Sequence, residues 1–154
     1  MVWKGPQAYG FERARRRPGR AALVPWKGRP LEEAEAELEA ALEAAGTDVV
    51  ALAGFMRLLS PAFVARRRGR LVNVHPSLLP AWPGAHAIER AWEAGDAELG
   101  VSVHYVDEGM DTGPLLVQGR VARAATLEAM EAAVHELEHS LYPRVVVGLL
   151  DGLR

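Results

Sequence analysis

Asn73 and His75 stand two positions apart where a short apolar run, Leu71 to Val74, passes into a proline-rich stretch, His75 to Gly84 (His-Pro-Ser-Leu-Leu-Pro-Ala-Trp-Pro-Gly). On extended backbone, residues two apart point to the same side. An amide and an imidazole would therefore face one cleft, and the prolines would stiffen the loop behind them. In open α/β sheets, ligands bind at the carboxyl ends of strands. A second polar loop, Asp107-Glu108-Gly109-Met110-Asp111-Thr112-Gly113-Pro114, follows another strand-like run. If the two loops lie side by side, Asp111 can pair with His75, because a carboxylate within about 4–6 Å favours the imidazolium form. Such a set suits addition of an amine to a carbonyl-like centre. Asn73 and protonated His75 would stabilise the developing oxyanion, and Asp111 would orient the imidazole and help move the proton. Each residue also has an ordinary explanation: an Asn or His at a strand end is commonly a turn-maker, and an Asp in a Gly-rich loop commonly serves turn chemistry. Spacing alone leaves the two readings about even.

The elements needed to position these residues are legible as an α/β pattern. Ala21 to Val24 reads as a short strand. Leu31 to Ala45 reads as a helix rich in Ala, Leu and Glu, with Gly46 as its C-cap. Asp48 to Ala53 is a continuous apolar run, the pattern of a parallel strand buried on both faces. Pro61 to Arg68 predicts a short helix capped by Ser60. Leu71 to Val74, Val101 to Val106 and Leu115 to Val121 predict strands, the second by its alternation. Ala85 to Ala94 predicts a helix ended by Gly95, and Thr126 to Leu150 a long helix that Pro143 should kink or divide. Tyr9 to Arg17 reads as a basic helix stopped by Pro18-Gly19. Strands alternating with helices predict a three-layer, Rossmann-like α/β domain with a mainly parallel sheet, as one unit over residues 1–154.

Composition narrows the function classes. The chain has 154 residues, 49% hydrophobic and 25% charged, which fits one globular domain with a sizeable core. A net charge of -2 argues against nucleic acid as partner. No apolar run approaches the roughly 20 residues that span a bilayer, and no signal peptide is recognisable, so the cytoplasm is the default location. Cysteine is absent, which excludes thiolate catalysis, disulfides and Cys-based zinc sites. Lys4 and Lys27 are the only lysines, Asn73 the only asparagine, and Gln7 and Gln118 the only glutamines. Avoidance of thermolabile amides fits a heat-adapted source, and a GC-rich genome explains much of the same bias. In such a chain a single asparagine needs a reason.

The segment NVHPSLLPAWPG (73 to 84) resembles the signature of the folate-dependent formyltransferases, in particular their glycinamide ribonucleotide branch. Further segments are similar to that branch: VVALAGFMRLLSPAFV (49 to 64), DEGMDTGP (107 to 114) and LEHSLYP (137 to 143). The resemblance runs from about residue 8 to the C-terminus. It implies transfer of formyl from 10-formyltetrahydrofolate to the amine of glycinamide ribonucleotide, without a metal, by a monomer or homodimer. It places catalysis on Asn73, His75 and Asp111. It places the folate on Met56, Arg57, Leu58, Leu59, Leu71, Val106, Asp107 and Asp111. Pro76, Gly84, His86 and Glu138 match positions near the acceptor. Relatives that hydrolyse formyl-folate or formylate methionyl-tRNA carry different residues after the first His.

The chain departs from the family at its start. The family opens with a strand, a Gly/Ser/Asn-rich turn that binds phosphate through backbone amides, and a helix; Gly5 and Gly10 do not follow a strand and are no substitute. The resemblance thus implies an N-terminally shortened formyltransferase fold with weakened phosphate binding and an exposed sheet edge. Either the native protein is longer or something else covers the gap. On this reading the chain as given binds folate and turns over poorly, as a folate-binding or partner-dependent fragment. A rival motif is His135-Glu136-Leu137-Glu138-His139, the H-E-x-x-H pattern of zinc hydrolases. No His or Glu follows His139 to serve as third ligand, and Pro143 disturbs the helix one turn later. The simpler reading has Glu138 facing substrate and both histidines packing on the helix surface. The basic runs Arg13 to Arg17 and Arg66 to Arg70 read as solvated helix ends, His104 as a structural residue near the site, Trp82 as loop packing and Trp92 as packing on the sheet.

Overall fold

A computed structural model describes residues 2–3 and 22–152. The basic helix expected over Tyr9 to Arg17 lies outside the described residues. The chain divides into two compact units, residues 1–47 and 48–154. In the first, β1 (Val2–Trp3) pairs in parallel with β2 (Ala22–Leu23). There α1 (Leu31–Ala44) buries Ala34, Glu35, Leu38 and Leu42. Gly46, with φ +60°, ends that helix as expected of a C-cap.

The second unit carries the site. Its sheet has the order β3 (Val50–Leu52), β4 (Leu71–His75), β5 (Glu98–Tyr105), β6 (Leu115–Ala122). Between the strands lie α2 (Pro61–Arg66) and α3 (Ala87–Glu93), and α4 (Leu127–Gly152) closes the chain. The α/β class read from the sequence holds, and the sheet is mixed: β3 and β4 are parallel, while β4, β5 and β6 are antiparallel. The register sets Asn73 opposite His104 and His75 opposite Ser102. Ser102 in turn lies opposite Gln118, and an irregularity falls between Val103 and His104. Successive side chains alternate faces. Val72, Val74, Val101 and Val103 accordingly share a core with Ile88 and Ala91 of α3 and with Met130, Val134 and Tyr142 of α4.

Local chemistry starts the helices. Ser60 Oγ accepts the Phe63 N–H at 3.2 Å and Pro61 occupies the first turn of α2. Thr126 Oγ1 accepts the Ala129 N–H at 3.2 Å at the head of α4. Four details correct the sequence expectations. The helix expected from Ala85 begins at Ala87, because Gly84 (φ +79°) and His86 (φ +56°) are left-handed. The strand expected to be buried on both faces has Ala51 exposed, because β3 is an edge strand of its sheet. Alternation in β5 does not mark a solvent face: Ser102 and His104 are as buried as the valines between them. Pro143 does not divide α4, which runs unbroken through it.

The helix is tied to the sheet one residue earlier. The Tyr142 hydroxyl lies 2.7 Å from Leu52 O and 3.1 Å from Val72 O, so its one hydrogen is shared between carbonyls of two adjacent strands. Burial, with Glu138 nearby, holds this phenol neutral well above the ordinary tyrosine range. Tyr142→Phe leaves these carbonyls without their donor and should destabilise the fold by about 1–2 kcal/mol in urea unfolding; an unchanged midpoint would show that the hydroxyl contributes nothing.

Candidate active site

A cavity of about 630 Å³ opens at the end of β4, within the range of sites for small organic ligands. Asn73 and His75 reach it from the strand, as their spacing predicts, and Asp111 reaches it from the loop between β5 and β6. The two loops do lie side by side: His75 Nδ1 is 3.4 Å from Asp111 Oδ2.

Each loop is held by its own polar groups. In the loop after β4, the Ser77 hydroxyl donates to Ala81 O at 2.6 Å and the Arg90 guanidinium donates to Pro83 O and Ala85 O. The chain then turns so that Trp82 O meets His75 Nε2 at 2.8 Å and the Gly84 N–H donates to Asp111 Oδ2 at 2.9 Å. In the acidic loop, Asp107 Oδ1 accepts from the Gly109 N–H and the Thr112 hydroxyl. A Cβ at Gly113 would lie 1.8 Å from Tyr105 O, so only glycine permits this close return of the loop. Among the described residues, Trp82, His86 and Asp111 are the non-glycine residues with left-handed backbone, at φ 57°, 56° and 56°. All three belong to these two loops, which fits the tendency of backbone strain to collect at functional sites.

The histidine nitrogens can be assigned from their partners. A carbonyl only accepts, so Trp82 O fixes a proton on His75 Nε2. His75 Nδ1 is the nitrogen that faces the Asp111 carboxylate, and a second proton there would make the contact a charge-assisted pair. His104 was read as structural, and the structure places it in the same cluster. Its Nδ1 donates to Tyr105 O at 2.8 Å, which leaves Nε2 as an acceptor in the neutral ring. That Nε2 is 3.4 Å from Asn73 Nδ2 and 3.5 Å from Asp111 Oδ1. The two neighbours ask opposite things of it: the amide needs a lone pair, the carboxylate a proton. Neutral His104 therefore orients Asn73, and a proton at Nε2 turns its interaction to Asp111. The Asp111 carboxyl is held below the ordinary carboxylate range by His104, by the Gly84 N–H and by charge on both imidazoles, against a desolvation effect of burial.

The other expected residues are placed as follows. Met56, Arg57, Leu58, Leu59, Val106 and Asp107 line one part of the cavity, and Pro76, Gly84, His86 and Glu138 also line it. Leu71 stands apart: it is 1% exposed, and its carbonyl accepts the Val106 N–H at 2.9 Å. Met110 of the acidic loop also lines the cavity, and His135 and His139 are lining residues that the sequence reading did not assign to this site. The spacing of His135, Glu138 and His139 on one helix face was the available signal. Among the described residues no group of three His, Asp or Glu side chains is arranged to hold a metal ion.

The comparisons give the family to which this fold and site belong. The family described as formyl transferase matches residues 2–146, and the chain belongs to that family. Its high-coverage relatives there are phosphoribosylglycinamide formyltransferases. The one from Escherichia coli (strain K12) is 44% identical over 149 residues, which is 94% of this chain and 70% of that enzyme. The crystal structure of phosphoribosylglycinamide formyltransferase from Bacillus halodurans superposes with a TM-score of 0.91 at 41% identity, covering 99% of this chain and 80% of that one. A trifunctional purine biosynthetic protein adenosine-3 of Drosophila melanogaster is 48% identical over 120 residues, and the chain spans only 9% of its length.

The pH dependence of the Asp111 cluster has a defined sign. A carboxyl whose folded value lies below its ordinary 3.8 contributes stability that is present above that value and is lost as pH falls through it. Asp111→Asn should therefore lie below the unmodified chain in denaturant midpoint at pH 7, and the gap should close as pH drops below about 4. A gap of constant size from pH 7 to pH 3 would contradict the pairing.

Proposed function

We propose that the chain transfers a formyl group from 10-formyltetrahydrofolate to the amine of glycinamide ribonucleotide, in purine synthesis. The observation that supports this most is the convergence of Asn73, His75 and Asp111 on one cavity, with the imidazole seated against the carboxylate. The donor would lie along Met56, Arg57, Leu58, Leu59, Val106 and Asp107. The acceptor would approach past Pro76, Gly84, His86 and Glu138.

The residues divide the chemistry. When the amine adds to the formyl carbon, negative charge develops on the formyl oxygen. Both nitrogens of His75 already face protein groups, so that ring has no uncommitted N–H to offer. Asn73 offers the directed donor: one amide hydrogen faces His104, and the other has no protein partner among the described residues. The Asp111–His75 pair would take the proton lost by the attacking amine and return it to the folate nitrogen as the carbon–nitrogen bond breaks. The net change is one N–C bond made, one broken and one proton moved between nitrogens. No oxidant or metal is required by that balance.

Purified chain incubated with both substrates should give formylated glycinamide ribonucleotide, detected by mass, together with deformylated folate. Removing the oxyanion donor in Asn73→Ala should lower kcat by about 10²–10³-fold while folate binding persists. Folate binding without turnover in the unmodified chain, or turnover indifferent to Asn73, would overturn the proposal.

A further inference from the structure

Beneath the loop that carries Trp82 and Gly84 lies a saturated polar pair that touches neither cavity nor substrate. Ser102 is completely buried on β5. Its hydroxyl donates to Ser77 O at 2.7 Å and accepts the Leu79 N–H at 3.0 Å. It also accepts from Gln118 Nε2 at 2.8 Å, and the same nitrogen donates to Leu79 O at 2.8 Å. The hydroxyl thus uses its one hydrogen and both lone pairs, and the amide uses both hydrogens. Gln118 is one of only two glutamines in the chain.

The three backbone groups so held, Ser77 O, Leu79 N and Leu79 O, lie between His75 and Trp82. Pro76 and Pro80 have no N–H, so this part of the loop has few donors with which to satisfy itself. Buried backbone groups require partners, and here the sheet supplies them from the side. The placement is set by register, because His75, Ser102 and Gln118 form one row across β4, β5 and β6. The row therefore holds His75 at one end and the clamp on its loop at the other two positions. The loop returns to put Trp82 O on His75 Nε2 and the Gly84 N–H on Asp111.

We infer that Ser102 and Gln118 are positioning residues for the site: by fixing the backbone of residues 77–79 they deliver the Trp82 carbonyl that sets the tautomer of His75. They act through the loop and have no role in binding either substrate. A displacement of about 1 Å at a supporting group is enough to cost on the order of 10²-fold in rate, and it would take the Trp82 carbonyl beyond hydrogen-bond range of the imidazole.

The test uses the full chain and two independent readouts. Nitrogen-15 NMR of the histidine rings reports which nitrogen of His75 carries its proton and does not depend on catalysis. Steady-state kinetics rests on the formyl-transfer reading, so a chain that never turns over fails that reading and leaves the NMR readout intact. Gln118→Met and Ser102→Ala should lose the fixed Nε2–H signature of His75. Their kcat should fall by about ten- to a hundredfold, with the KM for the formyl donor within about twofold. Val101→Ala, a cavity in the same strand on the opposite face, should lower thermal stability and move neither readout. If both polar variants behave like Val101→Ala, the inference is wrong. Should neither variant fold, the unmodified chain decides: both Gln118 side-chain amide protons should exchange with solvent slowly, and exchange at the rate of a free glutamine would overturn the latch.

Discussion

The Asp111 carboxylate is the one charge that both site loops share, and much of the second unit is arranged around keeping it ionised under cover. Its side chain is largely buried, where an isolated carboxylate would neutralise. Three groups act against this: the His104 ring, the Gly84 amide and the His75 ring. They come from the loop after β4, from β4 itself and from β5. No one of them is local in sequence to Asp111, so the carboxylate stays charged only when the sheet and both loops are in place. The left-handed backbone at Trp82 and Asp111 belongs to the same bargain. Strained φ values persist when surrounding contacts over-determine them: Trp82 is held through both its carbonyl and its indole N–H, and Asp111 through both carboxylate oxygens.

The antiparallel half of the sheet makes the arrangement possible. Parallel strands need a long crossover between them, and crossovers carry successive strand ends to the same edge with other elements intervening. Turning β5 and β6 back against β4 sets Asn73 face to face with His104 and brings the β5–β6 loop directly over the end of β4. The same reversal leaves one face of the strands apolar, against α3 and α4, and the other polar. That polar face is not solvent-facing, because the proline-rich loop folds down on it. Ser102 is therefore buried and Gln118 half-buried, both bonded, where a strand of alternating pattern would ordinarily show water a row of polar side chains.

Legibility from sequence divides along the same line. Asn73 and His75 were readable because their relation is local: two residues on one strand must share a face. The acidic loop was readable because glycine and aspartate crowd into it, and Gly113 shows why glycine is needed there. His104 was not readable as a site residue. Its partner depends on which residue of β4 it faces, and strand register is a long-range property that a one-residue slip would reverse. The exposure of Ala51 and the late start of α3 escaped for kindred reasons, since both follow from neighbours rather than from the run itself. Pro143 was over-read: its missing N–H costs one bond, and packing through Tyr142 and the core face of α4 holds the helix through it. The family resemblance supplied what spacing could not, which was the choice of acyl group and donor.

Two chemically identical side chains end up with different tasks because of two backbone carbonyls. Trp82 O claims Nε2 of His75, and Tyr105 O claims Nδ1 of His104. The nitrogens left over are Nδ1 in one ring and Nε2 in the other, and both face Asp111. Only His104 has a second neighbour there, the Asn73 amide. Either ring needs a proton on the nitrogen that faces Asp111 for the contact to be attractive, and only at His104 does that proton compete with the Asn73 amide for the same nitrogen. Meanwhile the lip of the cavity keeps Met56, Leu58 and Met110 at 66%, 52% and 53% exposure. Apolar side chains held that open around a buried polar centre gain about 25 cal/mol for each Å² a flat ligand covers. A ligand's apolar surface can be covered at the lip while its polar groups meet the Asn73–His75–Asp111 cluster of the same cavity.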